Sequence, residues 1–170
     1  MPGRDEKEAW RAFKEPIQRV IGCVDQTVRL HEKQFKDGVR LLATTVDGIP
    51  FGDGLVFRFS LQLEPLSDDG VWRMSTRRYD FTIWTKTRVP TMVFGWHWHP
   101  ASKQSKVAYP HLHVPSALSH KSKHIPTGRL WLEDIVMFGF DELGVIPTVE
   151  NALAIVNETR ELHKQHRSWH

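Results

Sequence analysis

Four histidines in two identical spacings, His97-Trp98-His99 and His111-Leu112-His113, are the residues of this chain best placed to do chemistry. In a β-strand, residues i and i+2 project from the same face, so each pair can present two imidazoles side by side. Both pairs lie within Phe81–Leu132, a run of 52 residues with no Asp or Glu, six histidines and seven Lys or Arg. The other two histidines are His120 and His124; the cations are Lys86, Arg88, Lys103, Lys106, Lys121, Lys123 and Arg129. Against a net charge of +3 for the whole chain, this segment carries +7 and the remainder −4. Such a local field draws phosphates and nucleic acid toward the imidazoles. The same charges also fit a solvated face without a ligand.

Two kinds of chemistry use these residues. The first, which we prefer from the sequence, is metal-independent cleavage of RNA. One imidazole removes the 2′-hydroxyl proton and another protonates the leaving 5′-oxygen, both roles being open to a group that titrates near neutral pH. His97, His99, His111 and His113 are then the catalytic candidates. Lys103, Lys106, Tyr109, Lys121, Lys123 and Arg129 are the substrate-binding candidates, the cations for phosphate and Tyr109 for stacking on a base. The nearest upstream acid on a strand, Asp80, is positioned to orient an imidazole. No cofactor is needed. The second is a site for a divalent transition metal held by the same four histidines, since two His-x-His pairs on adjacent strands bring three or four nitrogens together. A non-catalytic RNA-binding module and a polar edge to a Trp-rich sheet are the other readings.

The elements that must position these residues follow from periodicity. Residues about 5–21 read as an amphipathic helix with Trp10, Phe13 and Ile17 on one side and Pro16 as a kink or early end. Gln26–Phe35 and Val39–Val46 read as a hairpin about Asp37-Gly38. Leu55–Leu63 alternates apolar and polar over nine residues, the pattern of one buried and one wet sheet face. A turn at Ser67–Gly70 leads into a strand from Val71 to about Thr85, bulged near Arg77-Arg78. In the strand Thr91–His99, Met92, Phe94, Trp96 and Trp98 face the core, which puts His97 and His99 on the open side. If His111–Val114 returns antiparallel about the midpoint of the loop, His97 meets His113 and His99 meets His111; a one-residue slip would scatter them. Lys121–His124 reads as a flanking loop. Helices are expected at about 128–143, ended by Gly144, and about 148–164 with Thr148 as N-cap. The His163–His170 tail reads as frayed.

The fold class is therefore α+β: one domain over 1–170, with the sheet of about five to six strands at 26–115 and two C-terminal helices packed on it. A single cysteine, Cys23, excludes an intrachain disulfide and a Cys-based metal site, and reads as a small buried hydrophobe. The charged start, with no apolar signal segment and no bilayer-length apolar run, predicts a soluble cytoplasmic protein without a membrane partner. Phosphate-binding loops, dinucleotide fingerprints, His-Glu-x-x-His and nucleophile-elbow motifs do not occur.

The segments Trp96-His97-Trp98-His99-Pro100 and Tyr109-Pro110-His111-Leu112-His113 resemble those of TumE-type toxins of bacterial toxin–antitoxin modules. Those small α+β proteins have a similar order of an N-terminal helix, hairpins, a His-His-Pro turn and an aromatic-Pro-His-His-x-His segment. The likeness covers about residues 20–115. It implies functional weight on His97, His99, His111 and His113, a growth-inhibiting activity on RNA, and an antitoxin partner. Here the histidines are one residue apart instead of adjacent, and Ile125–Arg129 with the two C-terminal helices has no matching part.

Overall fold

The alternating run at Leu55–Leu63 grows into the longest hairpin of the molecule. In the computed structural model, which describes residues 1–100, 107–114 and 123–166, β4 spans Leu55–Asp68 and β5 spans Val71–Thr85. Only Asp69 and Gly70 join them, at φ 47° and 76°. Two successive positive φ angles give the tight turn whose twist matches right-handed strands, so pairing extends to Asp68 opposite Val71 and the turn is shorter than expected.

Around this hairpin lie β1 (His31–Gln34), β2 (Arg40–Ala43), β3 (Ile49–Pro50), β6 (Met92–Trp98), β7 (His111–Val114) and β8 (Lys123–Pro126). The order is β1-β2-β4-β5-β6-β7-β8 with β3 also against β4, and every pairing is antiparallel. Eight strands replace the five to six expected; β3 and β8 are the short additions. Strand β1 starts later than predicted because Asp25 Oδ1 accepts from the Thr27 backbone N–H and holds a turn there.

Helix α1 (Glu6–Gly22) starts at Asp5, whose side chain accepts from Glu8 N, and it continues through Pro16 instead of ending there. Helix α2 spans Leu132–Glu142 and α3 spans Ala152–Gln165. Both begin later than expected, for visible reasons. The Leu130 backbone N–H donates to the Tyr79 hydroxyl, and Thr127 N–H to Pro110 O, tying 127–130 to the sheet. Thr148 is drawn to the end of α1, its Oγ1 donating to Gly22 O at 2.6 Å and its N–H to Cys23 O. Gly144, at φ 66°, follows α2 as predicted.

The core lies between one sheet face and the helices. Phe57, Phe59, Leu61 and Leu63 of β4, Tyr79, Phe81 and Ile83 of β5, and Trp96 and Trp98 of β6 meet Phe13, Ile17, Ile135, Val136 and Val156. Burying each large apolar side chain contributes about 1.5–3 kcal/mol. In α3 the buried positions are Ala152, Val156, Thr159 and His163. Leu153, expected in the apolar stripe, is exposed, and His163 belongs to the interior, not to a frayed tail. No described helix is long and apolar enough to cross a membrane.

Candidate functional site

The outer sheet face is built by the residues that alternate with this core. Asp80 sits on β5 between the buried Tyr79 and Phe81 and pairs with His97 on β6. Trp96 and Trp98 are buried, as the strand pattern requires, so His97 and His99 project outward. The β6–β7 register is Gly95 opposite His113 and His97 opposite His111. It differs from the expected register by two residues, a shift that keeps every side chain on its face. Strand β8, expected to be loop, then sets His124 opposite His113.

Five imidazoles and one carboxylate therefore meet. Ring centroids lie 4.4 Å apart for His97 and His113, 4.9 Å for His111 and His113, 4.5 Å for His113 and His124, and 4.8 Å for His111 and His124. One ligand atom from each of His111, His113 and His124 lies within 4.8 Å of the others, and the same holds for Asp80, His97 and His99. Sequence reasoning counted His124 among the acid-free residues but gave it no role; Pro126 and the short polar run hid the edge strand that carries it.

Hydrogen bonds fix the rings. The Tyr109 carbonyl can only accept, so His111 Nδ1–H donates to it at 2.8 Å, leaving Nε2 as the free ring nitrogen. That Nε2 accepts a hydrogen bond from His113 Nε2–H at 3.1 Å. His97 Nδ1 donates to Asp80 Oδ1 at 2.7 Å, and His99 Nε2 lies 3.0 Å from the same oxygen. His97 Nε2 is buried with no partner among the described residues. The other Asp80 oxygen accepts from Ser60 Oγ and Arg78 Nε. Burial acts to raise the Asp80 carboxyl, but hydrogen bonds from His97, His99 and Arg78 outweigh it and hold the group well below the usual carboxylate range. Burial first, then the neighbouring imidazoles, pull His111 downward against its Tyr109 bond; the same two causes bring His113 down to about 4. Both rings are neutral at neutral pH.

This arrangement can hold a metal ion. Two nitrogens on one ion at about 2.0–2.1 Å, with octahedral to tetrahedral angles, stand about 2.8–3.4 Å apart. The 3.1 Å between His111 and His113 Nε2 matches that spacing. A carboxylate on Nδ1 with the opposite nitrogen bare, as in Asp80–His97, is the usual support for a metal-binding imidazole.

Two glycine and bulge features shape the site. Val93 is an extra residue between the pairs Ile83–Phe94 and Trp84–Met92, and it reverses the alternation. Met92, expected on the core face, therefore lies on the histidine face: its Sδ is 2.7 Å, and His97 Nε2 2.8 Å, from where a Cβ on Gly95 would stand. Arg77 is the bulged residue of β5, between the pairs formed by Thr76 and Arg78, where the sequence placed it. Beside the histidines, a groove of about 700 Å³ runs from His99 and Pro100 past Arg77 and Arg78 to Phe35 and Lys36.

The expected substrate-binding residues divide. Tyr109 is exposed and edge-on to His111, and its backbone carbonyl sets the His111 ring. Lys123 is exposed on β8. Arg129 lies over the core-side ring of Trp98, 3.4 Å from its centroid, on the face opposite the histidines. Lys103, Lys106 and Lys121 fall outside the described residues.

Two outcomes follow from this geometry. Gly95→Ala will push the His97 ring aside at an overpacking cost of about 1–3 kcal/mol. Long-range ¹H–¹⁵N spectra of the His97 ring, with a denaturation curve, check this; an unmoved ring would contradict it. In metal-free protein, unfolded His113 gains a proton as pH falls through about 6.5, while the folded ring resists until about 4. Stability conferred by His113 is thus present above that window and lost as pH falls through it. Urea midpoints between about pH 7 and 4.5 will fall more steeply for the native protein than for His113→Asn; parallel slopes would contradict the account.

Comparison of the chain with protein-family models, curated proteins and solved structures found no match.

Proposed function

We propose that the histidine cluster binds a divalent transition metal and hydrolyses phosphodiester bonds in RNA. The observation that carries the metal reading is the convergence of two ring nitrogens, His111 Nε2 and His113 Nε2, at 3.1 Å, with His124 completing a triad. Nitrogen-only ligands suit zinc, nickel, copper or ferrous iron. A metal so held supplies a water that ionises near neutral pH, and a Lewis acid for the phosphoryl oxygen. Asp80 anchors His97 and His99, and the Tyr109 carbonyl anchors His111. RNA as substrate is supported by the acid-free, basic segment around the site, by exposed Lys123 and Tyr109, and by the groove lined by Arg77 and Arg78. The resemblance to TumE-type toxins points the same way and adds an antitoxin partner to the proposal.

A metal-free acid–base ribonuclease is the second reading, and the Asp80–His97 pair favours it, since a carboxylate on Nδ1 is also how a general base is oriented. Untagged protein stripped with chelator, then refilled with Zn²⁺, Ni²⁺ or Mn²⁺, separates the two. RNA cleavage should vanish on stripping and return with one of the metals. His111→Ala and His113→Ala should abolish it, and Asp80→Asn should lower it about 10–100-fold. Undiminished cleavage by stripped protein would establish the metal-free reading, and RNA bound but never cut would reduce the site to a binding module.

A further inference from the structure

On the opposite side of the sheet, where the helices pack, a second set of chemical groups is left incomplete. Glu133, the second residue of α2, is fully buried, and His163 of α3 is 4% exposed. His163 Nδ1 stands 2.7 Å from Glu133 Oε1. Glu133 Oε2 and His163 Nε2 are buried and have no partner among the described residues. Both side chains line a cavity of about 70 Å³, shared with Tyr79, Trp98, Arg129 and Trp131. At about 10–15 Å³ for each water-sized centre, that is room for several waters or one small polar molecule.

We propose that this cavity is a binding site for a small molecule bearing a carboxamide. His163 lies between aromatic rings, stacked on Trp131 at 5.1 Å and tilted against Phe13 at 5.7 Å. A net charge on a pair buried this deeply is costly, and the neutral pair, whichever side holds the shared proton, leaves one acceptor, Oε2, and one donor, Nε2–H, to be matched. A carboxamide offers one donor and one acceptor on adjacent atoms. A carboxylate offers acceptors only and would face the Glu133 oxygen; an ammonium offers donors only and would face the His163 N–H. A buried ion pair with unmatched polar atoms gains nothing over an apolar pair for packing alone, so its retention inside the core is better accounted for by a ligand that completes it.

Titration of the full chain with propionamide, propionate and propylamine, molecules of nearly equal size, tests this. The readout is the His163 ring ¹⁵N resonances. Propionamide should shift them saturably, with propionate and propylamine at least tenfold weaker. Glu133→Gln should abolish the response; should that variant not fold, the isostere series on the native chain still decides. Equal responses to all three compounds, no response to propionamide, or a crystal structure from a propionamide soak with only water beside Nε2 would each overturn the proposal.

Discussion

The register of β6 against β7 is the constraint on which the rest of the site depends. Side chains in a strand alternate with a period of two, so a slip by one would bury the histidines of β7 and lift Leu112 to the surface. Burial of Trp96 and Trp98 pins the β6 face, and pairing of Trp96 with Leu112 carries that face to β7. The core thus positions the site from behind. Aromatic packing against Phe138 of α2 and Tyr79 of β5 holds the tryptophans whose neighbours are the imidazoles.

Electrostatics then sets what the imidazoles can be. Five neighbouring rings cannot all carry charge, and among the described residues Asp80 is the carboxylate grouped with them. It engages His97 and His99 with one oxygen and Arg78 and Ser60 with the other. Farther along the sheet, His111 and His113 are pushed toward the neutral form by burial and by the neighbouring imidazoles. Neutral rings whose nitrogens lie this close suit a divalent cation, which needs unprotonated imidazole ligands. Exposed Lys123 on the neighbouring β8 adds a positive field that acts mainly on the approach of an anion.

Much of this was legible in the sequence, where local periodicity speaks. The N-terminal helix, the long alternating strand, the bulge at Arg77, the outward face of His97 and His99 and the orienting role open to Asp80 all follow from spacing. What escaped depends on non-local partners. His-Leu-His on β7 marks a strand but not its register, which lies two residues from the expected pairing. Lys123–Pro126 has no alternation and ends in proline, so nothing marked it as an edge strand bringing His124 to the site. Arg129 counted as a surface cation until its placement over Trp98 assigned it to the other face. Glu133 and His163, 30 residues apart, had no sequence signal for their pairing.

As proposed above, the histidine cluster is a metal centre. Equilibrium dialysis of the untagged chain against Zn²⁺, followed by X-ray absorption at the zinc edge, tests it most directly. The account predicts one tightly held ion per chain, with three or four imidazole nitrogens at about 2.0–2.1 Å, and loss of that ion in the His111→Ala, His113→Ala double variant. A chain that retains no ion, or holds it equally well without those two histidines, would contradict it.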